Sequence, residues 1–261
     1  MRIVLVADLH YQENNSDSVE EFIRSVNQTN ADGLFILGDI ASGIVLTSKC
    51  LQQFRDFKLG KYFIAGNHDL WSKNFDSLEI YQNFLPNIGK KFGFNFLEKQ
   101  PVVISEIGFV GTIGWYDYSF RDKTCDIPLE YYQNKSIPKV ATWVDKLMIN
   151  WNLTDEVFTN QTIKNLEKDI EKIYEQSEKI VCLTHQVPFE ELLPDQNDEV
   201  GRFYRAFSGS EKIGNLINKY PKIKYVFCGH THRYKKFINN QLTAINIGSR
   251  RSKPGFELLE I

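Results

Sequence analysis

Five apolar runs in this chain each end in a cluster of Asp, Asn and His, and no other feature limits the fold so tightly. Met1 to Ala7 leads into Asp8 and His10, Leu34 to Leu37 into Gly38-Asp39, and Tyr62 to Ala65 into Gly66-Asn67-His68-Asp69. Further on, Ile180 to Thr184 leads into His185, and Tyr225 to Cys228 into Gly229-His230-Thr231-His232. Short apolar runs closed by Gly or polar residues read as buried strands with loops at their ends. All five histidines of the chain fall in these clusters, a distribution that scattered surface histidines would not produce. Such residues need polar partners if buried, so five strand ends that carry them point to one shared site.

Between these runs the period turns helical, and alternating strands and helices imply an α/β fold. Ser18 to Asn30 is expected to form a helix, with Ser18 and Glu21 spaced as a capping box. Thr47 to Phe57 reads as a second helix and Phe75 to Phe84 as a third, closed by Pro86. Strands follow from Phe92 to Ile113, with a hairpin of Pro101 to Ser105 and Phe109 to Ile113 around Glu106-Ile107-Gly108. In the long segment Thr154 to Gln176, Ile163, Leu166, Ile170 and Ile173 recur at helical spacing. Gln186 to Ser210 reads as a polar loop and Glu211 to Asn218 as a helix; three short strands, Lys236 to Ile238, Leu242 to Ile247 and Phe256 to Glu260, finish the chain. Gly114 to Leu153 stands apart, crowded with aromatics and mixed charges. We read it as an excursion at about 114–153, with a short helix near Lys139 to Asn150, inserted into a single domain over 1–261. Its aromatic content argues against disorder.

A net charge of −2 provides no global field to attract nucleic acid or an anionic membrane. No apolar stretch approaches the roughly 18 residues of a bilayer span, and Ile3 to Ala7 is too short for a signal-peptide core. The four cysteines form no CxxC pair, so a reducing, cytoplasmic location is the expectation.

In open α/β sheets ligands gather beyond the carboxyl ends of the strands. There, alternation along an extended strand would point Asp8 and His10 the same way, and likewise His230 and His232. Asp8, His10, Asp39, Asn67, His185, His230 and His232 offer seven oxygen or nitrogen donors, more than one tetrahedral zinc can use. They suit two divalent first-row ions (Mn, Fe, Zn or similar) with one shared carboxylate. Two such ions beside two carboxylates and a bridging hydroxide keep a net positive charge, which suits an anionic phosphate, and they can activate a bridging water against it. His68 is the spare histidine, placed to protonate a leaving oxygen, while Asp69 either tunes it or braces the loop. Trp115 and Tyr116, after another strand end, are candidates to stack on a substrate ring; packing against the body is the competing reading. Arg202 and Arg205 are candidates to hold phosphate, against a plain surface loop. Arg250, Arg251 and Lys253 read as a surface patch rather than a nucleic-acid site.

The series Asp8-x-His10, Gly38-Asp39, Gly66-Asn67-His68-Asp69, His185 and Gly229-His230-x-His232 resembles the calcineurin-like metallophosphoesterase superfamily, with all five blocks in family order. The resemblance implies a four-layer sandwich of two mixed β-sheets flanked by helices, with the metal site at the C-terminal rim of the strands. It implies that Asp8, His10, Asp39 and His232 hold one ion, that Asp39, Asn67, His185 and His230 hold the other, and that His68 is the general acid. The expected activity is dinuclear metal-dependent hydrolysis of a phosphate ester, with a small phosphodiester or a nucleotide as first choice. Phosphomonoesterase, phosphoprotein phosphatase and DNA nuclease are the alternatives within enzymes, and a non-catalytic binding scaffold is the rival outside them. Lipid-linked pyrophosphate hydrolysis fits less well, because relatives with that activity typically carry Arg where His68 stands. Nothing in the sequence sets an oligomeric state.

Overall fold

A computed structural model describes residues 1–196, 198–248 and 255–261. The first half of the chain builds one sheet: β1 (Arg2–Val6), α1 (Ser16–Asn27), β2 (Gly33–Leu37), α2 (Ile44–Gln53) and β3 (Gly60–Ile64) come first. A broken helix follows, α3 (Ser77–Glu79), a π-helical turn at Ile80–Phe84 and α4 (Leu85–Lys91), and then β4 (Phe94–Phe96). The hairpin β5 (Val102–Ile104) and β6 (Ile107–Thr112) opens the second sheet. The aromatic segment then holds α5 (Leu129–Gln133), the small hairpin β7 (Ser136–Ile137) and β8 (Ala141–Thr142), and α6 (Asp145–Met148). The remainder is α7 (Asp155–Tyr174), β9 (Lys179–Thr184), α8 (Glu199–Arg205), α9 (Glu211–Ile217), β10 (Ile223–Cys228), β11 (Lys235–Ile238), β12 (Thr243–Asn246) and β13 (Phe256–Glu260).

One sheet runs β13-β1-β2-β3-β4 and the other β11-β12-β10-β9-β6-β5. Both are mixed: β1 to β4 are parallel with β13 antiparallel at the edge, and β6, β9, β10 and β12 are parallel with β5 and β11 antiparallel outside them. Strand alternation makes the layers. Ile3 and Leu5 face the second sheet, where Val181, Leu183 and Phe227 meet them, while Val4 and Val6 pack under α1 and α2. Phe35 lies between Tyr62 and Phe109, each ring centroid 4.6 Å away, and so joins the two sheets at their centre. Full burial of one such ring stabilises the fold by roughly 1.5–3 kcal/mol. The order helix, sheet, sheet, helix is the expected four-layer sandwich.

Several local expectations change. α1 starts two residues before Ser18, so Ser18 lies inside the helix, and the capping box is formed by Gln12 and Asn15 ahead of it. α2 begins at Ile44 rather than Thr47 and ends before Phe57. Pro86 does not end its helix. The π turn before it widens the hydrogen-bonding pattern, and Pro86 then sits in the first turn of α4, where a missing N–H costs little. The hairpin turns at Ser105-Glu106, both at positive φ (49° and 65°), ahead of the Glu106-Ile107-Gly108 turn expected. The loop 186–210 contains α8 and a short 3-10 turn at Glu190–Leu192. In the segment 114–153 the helix is confined to Asp145–Met148, with α5 and a hairpin before it. The Arg250, Arg251 and Lys253 patch lies outside the described residues. Among the described residues no helix is long and apolar enough to cross a membrane.

Candidate metal centre

The C-terminal ends of β1, β2 and β3 bring Asp8, Asp39 and Asn67 to one rim, and those of β9 and β10 bring His185, His230 and His232 to meet them across the sandwich. The rim loops are tied to each other. Asp8 N–H donates to Gly38 O at 3.2 Å, His10 N–H to Asp39 O at 2.9 Å and Gly229 N–H to His185 O at 3.1 Å. Across the two sheets, the His230 backbone N–H donates to both Asp8 oxygens, at 2.9 and 3.1 Å. Asp8 and His10 do share one side, but extended alternation is not the reason. Both lie past β1 in left-handed conformations, at φ 56° and 43°, as do Asp39, His230 and His232. Gly66 is required here: a Cβ on it would come within 2.2 Å of Asp39 Oδ1.

Two groups of donors result. One atom each from Asp8, His10, Asp39 and His232 lie within 4.8 Å of one another, and so do atoms of Asp39, His185 and His230. Asn67 joins the second group, its Oδ1 3.2 Å from His185 Nε2. The proton positions in that group follow from its outer partners. His185 Nδ1 faces Leu37 O at 2.9 Å, and a carbonyl only accepts, so the ring proton is on Nδ1. His230 Nε2 faces Phe207 O at 3.0 Å, so its proton is on Nε2. Burial, reinforced by neighbouring imidazoles, pushes the His185 pKa well below the ordinary value and that of His230 down to about 4, so both rings are neutral. His185 Nε2 then presents a lone pair to His230 Nδ1 at 3.3 Å, to Asn67 Oδ1 at 3.2 Å and to Asp39 Oδ1 at 3.3 Å. Three of these atoms, His185 Nε2, His230 Nδ1 and Asn67 Oδ1, are acceptors gathered at the Asp39 carboxylate, and nitrogen with carboxylate and amide oxygen is a donor set for a first-row divalent ion. Burial first, and then the Asp8 charge, raises Asp39 well above the usual carboxylate range, the electrostatic mark of a site built for positive charge.

These observations decide the family. The chain belongs to the calcineurin-like phosphoesterases. The family model matches residues 1–234. Members of this family use dinuclear metal sites and are metal-dependent hydrolases of phosphate esters. Among solved structures, the phosphopantetheinyl hydrolase of Mycobacterium tuberculosis is similar at 18% identity and a TM-score of 0.74, over 94% of this chain and 88% of that one. A dimetal phosphatase from Danio rerio is similar at 12% identity and a TM-score of 0.63, over 99% of this chain and 91% of that one. At these identities both show the fold. A comparison with curated proteins finds no match.

A pocket of about 170 Å³ opens beside the donors of this phosphoesterase. Asp39, Asn67, His230 and His232 line its floor; His68, Trp71, Trp143 and Val144 line its walls. His68 stacks on Trp71 with centroids 3.5 Å apart, its Nδ1 meets Ser42 Oγ at 3.3 Å, and its Nε2 lies 3.8 Å from Asp39 Oδ2. The hydrogen bonds of Asp69 go to the loop backbone and Thr47. Its carboxylate accepts from Gly66 N at 2.8 Å, Ala41 N at 3.1 Å and Thr47 Oγ1 at 3.0 Å, and so braces the loop.

The expected substrate contacts are placed elsewhere. Trp115 and Tyr116 have no accessible surface; Trp115 Nε1 donates to Asp155 at 2.8 Å and Tyr116 OH to Asp145 at 3.0 Å. They are core, as their competing reading had it. Arg202 and Arg205 lie on α8, away from the pocket lining, and Arg205 is engaged by Phe120 O and Glu190. The rings that do face the pocket are Trp71 and Trp143, which sequence reasoning missed. Trp71 was the easier to find, four residues past Asn67 on the same loop.

Proposed function

We propose that this phosphoesterase hydrolyses a small phosphodiester, with Asp8, His10, Asp39 and His232 holding one divalent ion and Asp39, Asn67, His185 and His230 the other. Bound there, the two ions, manganese among them, supply an activated water and neutralise charge on the phosphate. The chain's own contribution is to hold the donors at fixed separation, with His185 and His230 in the tautomers that turn a lone pair inward. His68 is the general acid: Ser42 Oγ meets Nδ1, and Nε2, 3.8 Å from Asp39 Oδ2, is the nitrogen that passes a proton to the departing oxygen.

The observation that favours a diester is the make-up of the pocket walls. Beyond the phosphate position, Trp71, Trp143 and Val144 present carbon and indole surface, which suits a second, uncharged ester arm. The name of the M. tuberculosis relative, a phosphopantetheinyl hydrolase, adds phosphopantetheinyl esters to the substrates worth testing on this chain.

The test is hydrolysis of bis(p-nitrophenyl) phosphate against p-nitrophenyl phosphate by manganese-loaded protein, beside Asp39→Asn. We expect the diester to be favoured and Asp39→Asn to lose turnover, since the shared carboxylate serves both ions. Preference for the monoester would move the reading to a phosphatase. No turnover of any ester and no bound ion would replace it with a binding scaffold.

A further inference from the structure

We propose that Asp145 is the positioning residue for the second metal position: it fixes the Asn67 amide with its oxygen turned to the ion, and it ties both indole walls of the pocket to the same carboxylate. This rests on the two-metal reading above. Asp145 opens α6 and is 1% exposed. Its Oδ1 accepts from Asn67 Nδ2 at 2.9 Å and from Trp71 Nε1 at 2.7 Å. Its Oδ2 accepts from Trp143 Nε1 at 2.9 Å and from Tyr116 OH at 3.0 Å.

A carboxylate has about four lone-pair directions, and here each has a donor. Asp145 therefore has no vacancy with which to ligate an ion or to take a proton from substrate. It acts through the groups that it holds. The Asn67 amide could present either oxygen or NH2 to the site, and only oxygen binds a cation. Because an ionised carboxylate only accepts, the Nδ2 side must face Asp145, and Oδ1 then faces His185 Nε2 at 3.2 Å. A flip would lose the bond to Asp145 and turn two N–H groups into the cation position. Donation from Nδ2 into the carboxylate also draws electron density onto Oδ1, the usual effect of an outer partner on a ligand.

The indoles extend the same control to the walls. Trp71 stacks on His68, and Trp143 lies edge-on to His230 at 5.9 Å between centroids. One buried carboxylate thus sets a ligand, the ring behind the general acid and the opposite wall.

A purely structural staple would cost stability when removed and would leave ion affinity alone. The test therefore reads ion binding. Manganese is titrated calorimetrically into chelator-treated wild type, Asp145→Ala, Asp145→Asn, Asn67→Asp and the exchanged pair Asn67→Asp/Asp145→Asn, with melting temperatures measured in parallel. We expect two ions in wild type. In Asp145→Ala the second should bind about 10- to 100-fold more weakly while the first is retained. In the exchanged pair the amide and the carboxylate trade places, so an NH2 group from position 145 would again orient an oxygen of residue 67. That pair should recover part of the ion affinity that each single change loses, the remainder being lost because the Trp71 N–H would then face an NH2 group. This comparison stands even where Asp145→Ala does not fold. Two ions at wild-type affinity in folded Asp145→Ala, or no recovery in the exchanged pair, would overturn the role of Asp145 alone. Fewer than two ions in wild type would overturn the two-metal reading together with it.

Discussion

Five of the seven candidate ligands are non-glycine residues at positive φ, a conformation that side chains rarely adopt without compensation. Here the compensation is visible in the ties between rim loops and in the bonds from His230 N–H to Asp8, which hold strained backbone where the donors must converge. The roles proposed for the neighbouring residues His68 and Asp69 can be separated at this scale. Removing a general acid hurts most when the leaving group is a poor one. His68→Ala should lose roughly 10²-fold or more in turnover on an alkyl ester and far less on a nitrophenyl ester, whose leaving group departs without a proton. Asp69→Asn should show no such dependence on leaving group. It should instead lower stability by about 1–3 kcal/mol, since the amide NH2 would replace one of the two oxygens and face the N–H of either Gly66 or Ala41. Kinetics across leaving groups and a denaturant melt separate the two roles.

At the scale of elements, the strands and their rim clusters were legible because each carries its signal within a few residues. The long helix was legible too; Thr154, where that segment was read to begin, is its N-cap, and Thr154 Oγ1 accepts from Val157 N–H at 3.3 Å. Thr154→Ala should cost about 1 kcal/mol, read as a fall of roughly 2–4 °C in melting temperature. What sequence could not show depends on distant partners. Pro86 reads locally as a stop, and the π turn that absorbs it is set by packing of Ile80, Tyr81 and Leu85 into the core. The helix α8 is about two turns inside a polar stretch, too short for its period to stand out. Asp145 was invisible for the same reason in sharper form. Its donors Asn67, Trp71 and Tyr116 lie 78, 74 and 29 residues away, and no spacing rule links them. Trp115 and Tyr116 misled because an aromatic beside a strand end looks alike from the sequence whether it lines a pocket or fills a core.

Across the whole molecule, the ligands are divided between two sheets, so whatever aligns the sheets aligns the site. Glu98, 3% exposed, is one such tie. It accepts from Ala65 N at 3.0 Å beyond β3, from Ile113 N at 2.7 Å beyond β6, and from Tyr81 OH at 2.6 Å on the π turn. Burial pushes its pKa up to about 7 against the pull of those three donors. The native state then keeps a proton that the unfolded chain has already released, so this group's contribution to stability is fully present below the unfolded value of 4.5 and is lost as pH rises through about 7. Denaturation between pH 5 and 7 should show Glu98→Gln with a shallower decline than wild type, by up to one proton's worth of slope. Parallel curves for the two proteins would show that Glu98 stays ionised.

The same division has a consequence in time. β1, which delivers Asp8 and His10, has β2 on one side and β13 on the other, in register from Arg2 with Glu260 to Val6 with Phe256. On the ribosome, β1 emerges ahead of residues 256–260 and keeps an unpaired edge until they follow it out. The histidines at 185, 230 and 232 also arrive late. A nascent chain therefore carries half a rim beside an open edge, and on the proposed two-metal reading ion uptake waits for those histidines.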